Sequence, residues 1–517
     1  MAVATLTSRV LGMVREMVYA RFMGDGWVAG AFQLAFMIPN LFRRLLGEGA
    51  LTAAFIPIFK AKERTDGEAE MWRAANAVIS ALILASSAVV GLVLAGVSLY
   101  LARGGSADPA QMDLMLRLLR WMFPYMLPVC LTAVFMGMLN ARGHFFIPSL
   151  GAALLNVVMI ASVIWLAPRF GTALHQQIYG LAVGVLLAGV AQAAFQLPTL
   201  FREGFRFEWI SPRGNAVVRT VATRMIPGTL GVASYQINVL ITQGIAFGVD
   251  ASIVASFNYG VRLMELPQGL FGVSLATFLL PALSGLAAER HWDEFRRTLR
   301  QGLGHMLFVN LLASVLLVLL AEPCVRLLFE RGQFGPGSTA RVAFALACLA
   351  PGLVLFSAIN ICARAFYALG DTRTPMRISV LCLGLNVIFT VALLLLFPSG
   401  YKQGALGVAN SLSAAVNAAL LIHTLRRKIG RLDFGELWAS LLPVLASGVL
   451  AGAVAGWGAS LWTRNLGHAT LWFRIGEVFG PATAAAAVYL LAAWWLRVPS
   501  AREMAALLRK RFQPSGS

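Results

Sequence analysis

The chain has 517 residues, 58% of them apolar and only 13% charged, with a mean hydropathy of +0.74. Soluble domains carry about 25% charged residues, so an ordinary water-soluble enzyme is excluded; the longest hydrophilic connections, about 15–20 residues, leave no room for a globular module of roughly 50. The net charge of +19 sits in short loops and near helix ends, with no long basic run interleaved with aromatics, which argues against nucleic acid as a partner.

Runs of about 20 apolar residues are what a hydrocarbon core demands of a helix. Fourteen such spans are predicted, near 1–23, 26–59, 74–102, 111–139, 146–167, 176–201, 216–248, 251–286, 301–321, 338–368, 376–397, 403–425, 436–463 and 472–496. Span 1 opens with Ser8-Arg9-Val-Leu-Gly12-Met-Val-Arg15-Glu16. Its arginines would ruin the apolar region of a cleavable signal peptide. Ser8, Gly12 and Arg15 fall at i, i+4 and i+7, with Arg9 and Glu16 seven apart, which predicts one polar arc on an apolar helix. Span 2 repeats the device: Asn40, Arg43, Arg44, Gly47 and Glu48 share a face, and Pro39 removes a helical hydrogen bond beside them. In span 8, Asn258, Arg262 and Glu265 lie at i, i+4 and i+7, followed by Pro267 and Gly269. These three spans are the ones read as carrying such arcs.

An ionisable residue at a helix centre costs about 2.5–3.5 kcal/mol on insertion scales, so it faces a cavity or a partner. One reading is mutual neutralisation, as Arg9–Glu16, Arg43–Glu48 and Arg262–Glu265, or snorkelling to the headgroups. The other starts from the imbalance, five arginines against three glutamates, which suits a visiting anion. Arginine's planar fork matches a phosphate with two parallel hydrogen bonds.

The remaining residues fill in topology. Lys and Arg number 26 in the loops after even-numbered spans plus the C-terminal tail, and 8 in the opposite loops. That bias predicts cytoplasmic N- and C-termini. Two weak repeats recur six spans apart. Pro39-Asn40 … Gly49-Ala-Leu-Thr-Ala-Ala-Phe-Ile-Pro57 parallels Pro267 … Gly272-Val-Ser-Leu-Ala-Thr-Phe-Leu-Leu-Pro281. Ala141-Arg-Gly143 … Pro148 parallels Ala368-Leu-Gly370 … Pro375. Duplicated six-helix halves flanking a site are a transporter plan. The five cysteines show no metal-ligand spacing and read as small buried hydrophobes. His144, His175 and His291 fall in loops and read as solvated.

At Ser8-Arg9-Val-Leu-Gly12-x-x-Arg15-Glu16, Pro39-Asn40-Leu-x-Arg43-Arg44-x-x-x-Glu48-Gly49-Ala50 … Phe55-Ile-Pro57, Arg262-Leu-Met-Glu265-x-Pro267 and Tyr367-Ala … Asp371-Thr372-x-Thr374-Pro375, the chain resembles the MurJ/MviN family. These are lipid II flippases of the multidrug/oligosaccharidyl-lipid/polysaccharide exporter superfamily. The resemblance covers nearly the whole chain. It implies an all-α, polytopic membrane protein of about 14 transmembrane helices, with an N-terminal lobe over 1–205 and a C-terminal lobe over 206–430. Residues 431–517 would supply two C-terminal helices, forming a groove for a lipid tail, and a basic cytoplasmic tail. Between V-shaped lobes, a central cationic cavity would take lipid II, the undecaprenyl-diphosphate disaccharide pentapeptide, from the cytoplasmic to the periplasmic leaflet of the bacterial inner membrane.

The family's cavity arginines map onto Arg9, Arg15, Arg43 and Arg262, the expected substrate-binding residues. Ser8, Glu16, Asn40, Arg44, Glu48 and Glu265 are expected to set cavity charge and gating. The resemblance implies no catalytic residue, cofactor or metal. Where sodium-linked members carry acidic ligands, the nearest positions here are Thr242, Asn386 and Thr390, so no sodium site is predicted. Cell-wall synthesis proteins are candidate partners. Departures include Gly30, where the family often has an acidic residue, and Met37 in place of a lysine before Pro-Asn; the short lead before Ser8 suggests a truncated start. Rival readings are an exporter of another polyprenyl-diphosphate glycan or of drugs, a membrane-embedded enzyme, and a non-transporting scaffold. The cationic arcs oppose drug cations, and no carboxylate pair or His cluster supports an enzyme.

Overall fold

The computed structural model describes residues 2–47, 50–104, 109–269, 274–430 and 435–503, and every regular element among them is helical. The chain forms two compact units: Met1–Ala255 with Arg331–Phe334, and Ser256–Glu330 with Gly335–Ser517.

The first unit is built from α1 (Ala2–Met23), α2 (Trp27–Phe42), α3 (Ala50–Asp66), α4 (Glu68–Ala102), α5 (Pro109–Met122), α6 (Met126–Ala141), α7 (Phe146–Ala161), α8 (Leu174–Arg202) and α9 (Ala216–Val249). Its core at one end is a run of aromatic rings. Phe55 meets Phe59 at 5.3 Å, Phe59 meets Trp72 at 5.5 Å, and Trp72 meets Phe205 at 5.6 Å. Helix α9, predicted as the first span of the C-terminal lobe, packs here against α2, α3 and α4. The compact units therefore do not coincide with the sequence boundaries at 205 and 430, because side-chain packing and not duplicated sequence decides which helices cluster.

The second unit holds most of α10 (Ala251–Pro267), then α11 (Ser274–Ala288), α12 (Trp292–Leu319), α13 (Ala321–Phe329), α14 (Pro336–Leu349), α15 (Gly352–Ala368), α16 (Arg373–Leu396), α17 (Ala405–Ile429), α18 (Gly435–Asn465) and α19 (Leu471–Trp495). The α18–α19 pair docks on α12 through small residues. A Cβ on Gly448 would stand 3.2 Å from Leu311, and one on Gly452 3.0 Å from Leu319. With lipid as apolar as leucine, close backbone approach at glycine is what holds such helices together. The Tyr489 hydroxyl adds a buried hydrogen bond to the Phe308 carbonyl, 2.7 Å.

Among the described residues nine helices are long and apolar enough to cross a membrane, or ten if the bent pair Pro336–Leu349 and Gly352–Ala368 forms one span. The chain is thus a multi-pass membrane protein. Predicted spans 1, 2, 7 and 8 are not among the ten, and three of those four carry the arginine arcs. In span 2, α2 passes after Pro39 into a π-helical turn over Arg43–Gly47, and in span 8, α10 carries Pro267 as its last residue. Proline's missing N–H and such turns are ordinary causes of bends in helices.

The second repeat folds the same way twice. Gly143 (φ +88°) ends α6 with the His144 N–H donating to the Leu139 carbonyl, 2.8 Å. Gly370 (φ +73°) ends α15 with the Asp371 N–H donating to the Phe366 carbonyl, 2.9 Å. This left-handed glycine cap satisfies a helix's last carbonyls. In both cases the next helix starts within three residues and takes proline in its first turn, where no N–H is needed.

Candidate functional site

The predicted site residues divide between the two units. In the first, α1 packs on α7: the Ser8 carbonyl accepts a hydrogen bond from the Asn156 side chain at 3.2 Å, and Gly12 faces the same amide. Arg9, one position on, is exposed. Arg15 turns inward. Its Nη2 pairs with Glu16 at 2.5 Å, the two side chains being 15% and 10% exposed, and its guanidinium lies 5.4 Å from the centre of the Tyr19 ring. Its Nε is buried and has no hydrogen-bond acceptor among the described residues. The glutamate seven residues from Arg9 thus serves Arg15 instead, since a long guanidinium can curl back onto the next residue while Tyr19 supports its face.

Arg15 rests on an aromatic row. Tyr19 meets Phe32 edge-on at 6.1 Å, Phe32 stacks on Phe36 at 6.1 Å, and Phe36 meets Tyr125 at 5.9 Å. Further along α2 comes the second arc. Arg43 Nε donates to the Asn40 Oδ1 at 2.7 Å, as the i, i+3 spacing allows. Arg44 Nη1 donates to Gln236 Oε1 on α9 at 3.3 Å. Glu48, expected beside them, lies outside the described residues. Gln236 was not among the predicted residues; a glutamine amid apolar residues in span 7 was the signal.

In the second unit Arg262 pairs with Glu265 along α10 at 2.9 Å, with side chains 40% and 49% exposed. That pair is the neutralising partnership foreseen for it. At so exposed a site such a pair contributes little to stability.

A further ionic cluster, absent from the predicted set, sits in the second unit. Arg326, 9% exposed, pairs with Glu477 at 2.6 Å and with Glu322. Arg474 holds Glu330 at 3.3 Å, and the Thr463 hydroxyl donates to Glu477 at 2.9 Å. Ionisable residues within apolar runs are therefore not confined to spans 1, 2 and 8. Glu477 is 1% exposed near the start of α19. A lone acid so near a span's end reads in sequence as interfacial, and only its packing reveals burial.

Outside the spans, Arg142 grips three carboxylates: Glu63 at 2.6 Å, Glu68 at 2.9 Å and Glu203 at 2.8 Å. His144, read from sequence as solvated, meets Glu203 at 2.8 Å. Hydrogen bonds from Arg142 and His144 hold the Glu203 carboxyl below the ordinary carboxylate range, and Lys60 and Arg142 do the same for Glu63. Thr242, Asn386 and Thr390 are buried, and the Thr242 hydroxyl donates within its own helix to the Asn238 carbonyl at 3.0 Å. Among the described residues no group of three or more His, Cys, Asp or Glu is arranged to hold a metal ion.

The family model described as Lipid II flippase MurJ matches residues 19–475. The chain belongs to the MurJ lipid II flippase family. It is 34% identical over 466 residues to a probable lipid II flippase MurJ of Vibrio cholerae, covering 87% of this chain and 86% of that protein. It is 34% identical over 432 residues to the lipid II flippase MurJ of Burkholderia cenocepacia, covering 82% of each. A solved MurJ structure in an inward closed conformation superposes with a TM-score of 0.76 at 20% identity, covering 96% of this chain and 98% of the other. An inward-facing multidrug resistance transporter of the MATE family gives 0.66 at 17% identity, covering 84% of this chain and 99% of the other. At those identities the likeness is one of fold, and the MurJ fold is what this chain adopts.

Proposed function

We propose that this chain carries lipid II from the cytoplasmic to the periplasmic leaflet of a bacterial inner membrane by alternating access. The relatives' names supply the cargo. The sugar diphosphate headgroup cannot cross hydrocarbon unaided, because burying unpaired charge costs tens of kcal/mol in the idealised limit and still several in practice. In this reading Arg15, Arg43 and Arg262 bind the diphosphate, with Arg9 contributing charge from α1. Ser8, Glu16, Asn40, Arg44, Glu48 and Glu265 set the charge of the chamber and its gating. Helices over 1–205 and 206–430 act as duplicated lobes, and α18–α19 take the lipid tail. The termini lie in the cytoplasm, following the arginine bias, and the protein performs no covalent chemistry.

The observation that carries this reading is Arg15: a guanidinium buried beside one glutamate, with a further N–H that no acceptor among the described residues satisfies. A buried donor left unmade is costly, and a phosphate oxygen would complete it. Asn40 plays the complementary part by fixing the plane of Arg43. The membrane potential, about 2.3 kcal/mol per charge per 100 mV, would favour outward movement of the anionic headgroup. The chain has no phosphate-binding loop for ATP. The test is complementation of a flippase-depleted strain. The wild-type chain should restore growth, and Arg15→Gln or Arg43→Gln should not; growth restored equally by both variants would refute the diphosphate role.

A further inference from the structure

A cleft of about 490 Å³ opens in the first unit where the starts of α2, α5 and α8 meet, within the roughly 300–1,000 Å³ range of small-ligand sites. Its walls include the rings of Trp27, Phe170 and Tyr179. Trp121 supports Tyr179 edge-on, 6.4 Å between ring centres and 71° between planes. The polar groups facing the same space are Asp113, Arg117, His175 and Gln176. Asp113 accepts from Arg117 Nε at 2.6 Å, so the pair brings no net charge while both side chains stay 40–49% exposed. Gly171, at φ +143°, makes the turn before α8. Gln176 packs into the space its Cβ would fill, and Gln177 Nε2 donates to its carbonyl at 3.0 Å. The turn thereby holds the Gln176 side chain in place.

Flat aromatic surfaces with a paired carboxylate and guanidinium, an imidazole and an amide suit a ligand with apolar ring faces and a rim of hydroxyls and amides. A phosphate would call for unpaired cations, which the Asp113–Arg117 pair does not offer. We propose that this cleft is a saccharide site that takes an N-acetylated hexosamine unit. Its source, resting on the transport reading above, is the headgroup of the cargo. Trp27, at the first residue of α2, is the stacking platform, and Asp113, His175 and Gln176 bind the rim.

The test uses the full chain in lipid nanodiscs and N,N′-diacetylchitobiose as the probe, with binding read by ligand-observed saturation-transfer NMR. The disaccharide should bind wild type, and Asp113→Asn and Gln176→Ala, both at accessible positions, should each weaken it about tenfold. Trp27→Ala should weaken it further if circular dichroism shows it folded. Arg219→Gln, at an exposed position near the start of α9 and outside the cleft, should bind the sugar as wild type does. Unchanged binding in the cleft variants, no binding by wild type, or an equal loss in Arg219→Gln would overturn the saccharide site. Failure of lipid II transport with sugar binding intact would remove the transport reading and leave the cleft standing.

Discussion

A Cβ on Gly30 would lie 1.9 Å from the Ala251 carbonyl oxygen, and that contact explains a departure visible in the sequence. Where the family resemblance led to the expectation of an acid, this chain brings α2 so close to the start of α10 that no side chain fits. Gly30→Asp should therefore destabilise the protein by more than about 3 kcal/mol, through overpacking and a buried charge, seen as a lowered unfolding temperature in detergent; an unchanged midpoint would mean the two segments part freely. At the arginine-rich end, Arg142→Ala leaves Glu63, Glu68 and Glu203 facing one another and should cost about 1–3 kcal/mol. The same cluster sets a pH dependence. Glu63 and Glu203 have folded-state pKa values lowered by their hydrogen-bonded cations. Their stabilisation is fully present above the ordinary carboxylate pKa of about 4.3 and is lost as pH falls through the lower folded values. The unfolding temperature should hold between pH 7 and 5 and drop below about pH 4, with a shallower drop in Arg142→Ala.

Helix ends are where this sequence speaks most clearly. The Gly–Pro spacing at 143/148 and 370/375 recurs as the same left-handed cap and proline-started helix, because only glycine enters positive φ without cost and only the first helical turn tolerates proline. Gly370→Ala should cost about 1 kcal/mol, measurable as a small shift of the unfolding midpoint. Asp371, next to it, shows why that turn is held. Burial alone would raise its pKa, yet Lys428 and the hydroxyl and N–H of Thr374 outweigh it and keep the carboxyl ionised. The interruption of α2 was legible only in part. Pro39 announced a bend, but the π-helical turn that carries Arg43 and Arg44 depends on hydrogen-bond register, which residue type does not encode. Likewise the faces of α1 placed Arg9 and Glu16 together, whereas side-chain reach and the Tyr19 ring gave that glutamate to Arg15.

Across the molecule, composition and apolar spacing were enough for the class, and among the described residues up to ten of the fourteen predicted spans satisfy length and hydropathy. The allegiance of α9 to the first unit could not be read from duplicated sequence, since it rests on packing against α2, α3 and α4. Glu477 and Gln236 were missed for a related reason: single polar residues acquire meaning only when a distant partner, Arg326 or Arg44, is placed against them. The surplus of guanidinium groups over carboxylates that the sequence places in spans 1, 2 and 8 is what the transport proposal turns on. The most direct measurement is the amount of lipid II exposed on the outer leaflet of flippase-depleted cells expressing this chain. Wild type should restore exposed lipid II, and charge removal at Arg15, Arg43 and Arg262 together should return it to the depleted level while protein abundance is unchanged. Full exposure with all three arginines replaced would contradict anion capture by these side chains.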